Sequence, residues 1–516
     1  MWSTYREAVT VQLQVDGVQV ELNDEGITLL EALRDRLGMH SPKDGCSPQG
    51  QCGCCTVLVD GAPRVACVTP LRRVAGREVT TLAGMAEGDR RAWADAFVAT
   101  GGSQCGFCTP GIIVRLAALA DRSAPSVEQA LLAHLCRCTG WRTIIEAAAV
   151  VGTAAPASRD LDNASRRATI EGGVRQRVGP DVALGEGGFA DDTAPHGALV
   201  AVPDGQGGWA VGETLTEARA NAGKVQGRRT TASLRHPLEV PSGAWDLTLR
   251  TTWVEPAYLE PDASWCEPGG EPASPLANGG AFGGKATSPA PPAARRLADQ
   301  YGRAVRVLLS REDVVRMGAK RPPVAAGVNR NGTGVVRVVA TPGIRERIAA
   351  VAPELTVDEV VVPGPPTSCA PRAAGWAEAA VLLGALSGDP VVHSPAGARA
   401  EAELRADGSV FVRVSCGLPV DDVVLRSYCI GAAHMGLGWV RSEGIGVDDD
   451  GEAHDLTIRS FGILRARDMP HVEVDIDDDG GPPVNGSDAV FAAVALAAWR
   501  ADGLVQDWPT QRRSSK

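Results

Sequence analysis

Positive charge is in short supply: 51 Lys and Arg against 62 Asp and Glu leave a formal charge of −11, and no Lys/Arg cluster forms a basic face. That excludes a nucleic-acid sleeve, whose affinity comes from neutralising phosphates. Long apolar runs are missing too. The longest, Ala489 to Trp499, is half of the roughly 20 residues that span a bilayer. No basic-then-apolar leader opens the sequence, so the expectation is a soluble, cytoplasmic protein with no membrane partner. No Gly-x-Gly-x-x-Gly follows a strand-like segment, which removes the usual dinucleotide site. Aromatics are only 4% of the chain, whereas 60 Gly and 35 Pro make it rich in turns. Hydrophobic residues at 44% and charged ones at 22% exclude wholesale disorder. With 516 residues, the chain is long enough for several domains.

Period and punctuation divide it. Over 9–82, Val11, Leu13 and Val15 alternate, and Val18, Val20 and Leu22 follow after Asp16-Gly17, a hairpin pattern. Thr28 to Leu37 has helical spacing, and Thr56 to Val59 with Arg64 to Ala66 makes a second hairpin about Asp60-Gly61. Over 83–155 the period turns helical, with Ile112, Ile113, Leu116 and Leu119 on one face after Pro110. The small, polar stretch 156–172 reads as a linker. Residues 173–510 mix short strands, Gly/Pro turns and helices near 291–300, 375–386 and 488–500. The fold class is α+β.

Nine of the thirteen cysteines fall between 46 and 138. In a cytosolic chain such clustering points to metal ligation or redox chemistry. The first group is Cys46, Cys52, Cys54 and Cys55 on a glycine-bearing loop, with Cys67 beyond a hairpin. Three thiolates on one loop and a fourth from a later strand can enclose a two-iron cluster. The first gap is five residues where the plant-type spacing has four. Cys54 is read as a spectator pointing away from its neighbours on an extended segment, the alternative being that it replaces one of the ligands. The second group is Cys105, Cys108, Cys136 and Cys138. A structural Cys₄ zinc cage competes there, although a C-x-C pair is less usual for zinc.

These residues carry a resemblance. Gly45-Cys46 through Cys55-Thr56-Val57, Gln104-Cys105-Gly106-Phe107-Cys108-Thr109-Pro110-Gly111 and Leu135-Cys136-Arg137-Cys138-Thr139-Gly140 are similar to the two-cluster module of the xanthine dehydrogenase/aldehyde oxidase family of molybdenum hydroxylases. The resemblance implies a β-grasp ferredoxin-like domain followed by a four-helix-type domain. It implies one [2Fe–2S] cluster on Cys46, Cys52, Cys55 and Cys67, and another on Cys105, Cys108, Cys136 and Cys138. It also brings Gln104 close to a molybdopterin.

Farther on, the glycine-rich loop Asn278 to Lys285, Phe189 to Asp192, Glu255 to Glu260, Leu309 to Asp313 and Lys320-Arg321 occur in the order of that family's molybdopterin-binding part. Ala433 to Gly438 is similar to its glycine-rich cofactor contacts, and Arg372 to Gly375 to a substrate-pocket segment. The implied cofactor contacts are Gly280, Phe282, Gly283 and Gly436 on a shortened molybdopterin domain. The implied partners are a flavin-binding subunit carrying FAD, a complete molybdenum subunit and a small-molecule substrate, within an oligomer. The implied reaction is hydroxylation of an aldehyde or N-heterocycle, with electrons relayed through both clusters to the flavin. One departure opposes it: Gly481, in Asp479-Gly480-Gly481-Pro482-Pro483, stands where the family has its catalytic glutamate. Asp479 replaces that base only if the loop shifts, so the catalytic residue stays unknown. The competing function is a non-catalytic electron-transfer or assembly subunit.

Overall fold

The computed structural model describes residues 9–46, 48–153, 159–223, 233–274 and 279–511. Asp16 and Gly17, with φ of 49° and 83°, turn β1 (Val9–Val15) into β2 (Val18–Asp24). Two positive φ values give a two-residue hairpin the twist of its strands. Asp60 and Gly61 do the same, at 49° and 74°, between β3 (Thr56–Val59) and β4 (Ala62–Val65). The last strand, β5 (Glu78–Thr80), runs parallel to β1 and antiparallel to β3, giving the order β2-β1-β5-β3-β4. Val11, Leu13 and Val15 are buried, as are Leu29, Leu30 and Leu33 of the helical stretch Leu29–Glu31 and Ala32–Arg36.

Four helices follow: α1 (Glu87–Thr100), α2 (Thr109–Ala117), α3 (Ala124–Ala130) and α4 (Arg142–Val150). Pro110 sits in the first turn of α2, where a missing N–H costs no intrahelical bond. Ile112, Ile113 and Leu116 are fully buried, each contributing about 1.5–3 kcal/mol of burial free energy.

The linker reading needs correction. Residues 156–158 lie outside the described residues, but α5 (Leu161–Gly172) occupies most of the remainder. The Asp160 side chain accepts hydrogen bonds from the Asp162 and Asn163 N–H groups at its start, and Gly173, at φ 70°, ends it. Its inward face is Ala164, Arg167, Ala168 and Glu171, so polar and small residues hide the helical period. Arg167 and Glu171 form an ion pair one turn apart with both side chains fully buried.

The rest of the chain builds three four-stranded sheets. In spatial order these are Trp209–Gly212, Leu199–Pro203, Val305–Leu308, Ala263–Cys266; then Leu355–Val360, Gly334–Val339, Val324–Val328, Leu247–Arg250; then Val391–His393, Arg399–Leu404, Val410–Ser415, Val472–Asp477. Among the helices packed on them are α6 (Trp376–Ser387), α7 (Asp422–Arg441) and α8 (Ser487–Ala501). Trp439 of α7 stacks on Phe491 of α8 with ring centroids 5.1 Å apart, and Trp508 meets Trp439 edge-on at 4.7 Å. Buried charge ties the N-terminal sheet to this region: Arg34 reaches Asp191 at 2.6 Å and Asp192 at 2.9 Å, and Arg306 reaches Asp35 at 2.8 Å. Among the described residues, no helix is long and apolar enough to cross a membrane.

Candidate metal centres

Two groups of four buried or nearly buried sulfurs lie in the N-terminal module. In the outer group, Cys46, Cys52, Cys55 and Cys67 are all at most 2% exposed. Their sulfurs are strung as neighbours, Cys52 beside Cys46, Cys46 beside Cys67 and Cys67 beside Cys55. The Gln51 N–H donates to Cys46 Sγ and the Cys67 N–H to Cys55 Sγ, both at 3.4 Å. In the inner group the order is Cys108, Cys136, Cys138, Cys105, with the Cys138 and Cys105 sulfurs 3.6 Å apart. Cys136 Sγ also lies 3.2 Å from Thr139 Oγ1.

Each group has one sulfur that titrates low. The Cys52 and Cys67 thiols hydrogen-bond to Cys46, and those of Cys108 and Cys138 to Cys136, holding both well below the usual thiol range. Cys52, Cys67, Cys108 and Cys138 are pushed up, first by bonding to those neighbours and then by burial. Four buried thiolates without a counter-charge are prohibitively costly, so a cation must replace the protons for all four to ionise. Among the described residues, no three His, Cys, Asp or Glu side chains converge as a single ion would require. An open string of four thiols, two of them receiving backbone N–H bonds, suits two irons sharing four thiolates. The donor chemistry therefore fits a [2Fe–2S] cluster in each group.

The groups are joined through the backbone. The Leu135 N–H donates to the Cys52 carbonyl at 2.9 Å, so the residue before Cys136 is bonded to an outer-group cysteine. His134 lies flat against Gly53, whose Cβ, were there one, would be 2.4 Å from the imidazole, and Gly53 has φ +73°. Only glycine fits there. Burial keeps His134 neutral, with its pKa lowered to about 3. Cys54, expected to point away from its neighbours, instead keeps its sulfur beside that of Cys52 and lies within electrostatic reach of Cys105.

Helix α7 covers the inner group. A Cβ on Gly431 would lie 1.7 Å from the Cys138 carbonyl oxygen, so the helix touches the cysteine backbone directly. Gln104 donates to the Cys138 carbonyl at 3.1 Å and to Ser427 Oγ of α7 at 2.9 Å. Its Oε1 is buried without a hydrogen-bond partner among the described residues. Arg137, between the two cysteines of the C-x-C pair, forms a buried bidentate pair with Glu443 at 2.5 and 2.8 Å.

Beyond α7, a cavity of about 290 Å³ opens beside Phe282 and is lined by Glu171, Gly283, Lys285, Arg372 and Asp488, among others. Tyr428 separates it from the inner group. Its ring is edge-on to Phe282 at 6.0 Å, and the Cys138 and Cys105 charges act on its hydroxyl, which burial holds well above the usual phenol range. The Arg372 guanidinium lies 4.0 Å from the Phe282 ring centroid and 3.0 Å from Asp488. Lys285 pairs with Glu260 at 2.6 Å. Burial raises the Asp488 pKa against the pull of Arg372, while its side chain stays 28% exposed toward the cavity.

Of the expected cofactor contacts, Phe282 and Gly283 line this cavity. Gly280 is buried in the adjoining turn Gly279–Ala281, and Asn278 lies outside the described residues. Gly436 is elsewhere: it sits in mid-α7, where a Cβ would come within 2.7 Å of the Phe491 carbonyl of α8. Asp479 is outside the cavity as well. It is solvent-exposed, accepting from Ser415 Oγ at 2.6 Å and the Gly481 N–H at 2.9 Å, bonds that hold its carboxyl below the usual range. His434 bonds the Leu464 carbonyl, and His454 pairs with Asp448. Tyr428, Ser427 and Glu443 were missed from the sequence, since contacts more than 280 residues from the cysteines have no local signature.

Comparison with known proteins fits this geometry. A family model for a [2Fe-2S] binding domain matches residues 81–149. The xanthine dehydrogenase iron-sulfur-binding subunit of Escherichia coli O157:H7 is 36% identical over 149 residues, 27% of this chain and 92% of that protein. The aldehyde oxidoreductase of Megalodesulfovibrio gigas is 39% identical over 148 residues, 26% of this chain but only 16% of that protein. The solved structure of the aldehyde oxidoreductase from Desulfovibrio gigas superposes with a TM-score of 0.71 over 98% of this chain and 99% of that one, at 15% identity. The overall α+β fold is thus that of an aldehyde oxidoreductase. The chain belongs to the xanthine dehydrogenase/aldehyde oxidase family of molybdenum hydroxylases. Within it, this is an iron–sulfur oxidoreductase-type protein.

Proposed function

We propose that the chain relays single electrons through two [2Fe–2S] clusters, from the cavity beside Phe282 to a flavin-bearing partner subunit. Cys105, Cys108, Cys136 and Cys138 hold the inner cluster, and Cys46, Cys52, Cys55 and Cys67 the outer. The observation that carries this reading is the Leu135 N–H···O=C Cys52 bond, which connects the two ligand sets through one hydrogen bond and short stretches of backbone. Tyr428 and Phe282 fill the gap between inner cluster and cavity with packed rings, excluding water from the route.

The cavity suits a pterin-sized group. Its volume of about 290 Å³ is near the lower end for small-ligand sites. Phe282, Gly283, Lys285 and Arg372 would hold such a group, which when bound supplies the two-electron redox chemistry of the family. Arg372, fixed by Asp488 and Ser487, orients whatever enters. Hydroxylation of an aldehyde or N-heterocycle would additionally need a base within hydrogen-bond reach of the reacting oxygen.

The second reading, electron transfer without hydroxylation, is favoured by what stands at three positions. Gly481 has no carboxylate, Asp479 is committed to Ser415 outside the cavity, and both Glu171 oxygens accept backbone N–H bonds from Gly486 and Ser487. Metal analysis of anaerobically purified chain separates the two: about four irons with one molybdenum supports the hydroxylase, and four irons with none supports the relay alone.

A further inference from the structure

The outer loop is clamped from the far end of the chain. Gln49 Nε2 donates to the Leu456 carbonyl at 2.8 Å, and its Oε1 accepts from the Ile458 N–H at 3.2 Å. Arg459 follows: its N–H reaches Gln51 Oε1 at 3.3 Å, its Nε the Gln51 carbonyl at 3.1 Å, and its guanidinium the Leu132 carbonyl at 3.1 Å. One side chain therefore ties the cysteine loop, the helical module and the C-terminal region together. The Gln51 carbonyl it bonds shares its peptide group with the Cys52 N–H, which hydrogen-bonds the Cys46 sulfur, so the cation polarises a dipole aimed at that sulfur; the Gln51 N–H, from the preceding peptide, donates to Cys46 Sγ as well, at 3.4 Å. Arg459 itself is exposed, and the charges of Cys46 and Cys52 act on it.

We infer that Arg459 is a positioning residue that sets the reduction potential of the outer cluster and so drives electron flow outward. Reduction adds one negative charge at the Cys46–Cys67 group; the electron leaves the inner group, which returns to its oxidised charge, and no bond forms or breaks. A fixed cation beside that group, delivered in part through the Gln51 peptide, stabilises the reduced form and raises its potential. This rests on Cys46, Cys52, Cys55 and Cys67 holding the outer cluster.

The test is an anaerobic redox titration of the full chain, followed by electron paramagnetic resonance at low ionic strength, where an exposed charge is least screened. Arg459→Gln should lower the midpoint of the outer signal by about 59 mV, a tenfold fall in its reduced-to-oxidised ratio at fixed potential. The inner signal should stay put, reporting that the variant is folded. Arg459→Lys, keeping the charge, should retain most of the wild-type midpoint. An unmoved midpoint in Arg459→Gln, or equal shifts in both variants, would overturn the role of the charge. A wild-type chain lacking a second signal would overturn the cluster reading and this inference with it.

Discussion

At the scale of single residues, the cysteines are separable by substitution. Cys52→Ser and Cys136→Ser should each remove a different paramagnetic signal while leaving the other, because the outer and inner sulfur strings share no member. Loss of both signals in either variant would mean that the assignment to two independent groups is wrong. Asp479→Ala should leave cluster content and any turnover unchanged, since its carboxylate bonds Ser415 and the Gly481 N–H rather than facing the cavity; a large loss of turnover would return it to candidacy as the base. The cysteines were legible because their ligand spacing is local. The bond of Gln104 to Ser427, 323 positions away, was not legible.

At the scale of elements, α7 is the informative one. Ala433 to Gly438, similar in sequence to glycine-rich cofactor contacts, lies within a 20-residue helix. Its glycines serve close approach, Gly431 to the Cys138 carbonyl and Gly436 to the Phe491 carbonyl, a use that mimics a flexible loop in sequence. Gly431→Ala should therefore destabilise the chain by about 1–3 kcal/mol through overpacking and weaken the inner signal before the outer one. Unchanged thermal stability with an intact inner signal would mean that α7 does not seat on that cysteine. The segment 161–172 misled for the opposite reason: its buried face is made of Ala, Arg and Glu, so no hydrophobic period marked the helix.

At the scale of the whole molecule, the N-terminal module is docked by charge. Burial alone would raise the Asp191 pKa from 3.8, but Arg306 and then Arg34 more than reverse this and lower it to about 2. A depressed carboxylate stabilises the folded chain above its unfolded pKa and loses that contribution as pH falls through the folded value. The docking contribution, on the order of 2 kcal/mol, should be intact above about pH 4 and disappear toward pH 2. Asp191→Asn should flatten that limb of an acid-unfolding curve; an unaltered curve would mean that the contact does not stabilise docking. Such long-range pairing, like the Arg459 clamp, could not be read from sequence, whereas both hairpins and the helix after Pro110 followed from local turns and period.

The most direct test of the central claim is electron paramagnetic resonance with iron analysis on the full chain, purified anaerobically and reduced with dithionite. Two distinct [2Fe–2S] signals with about four irons per chain are predicted. A colourless protein with no reducible iron would contradict the account.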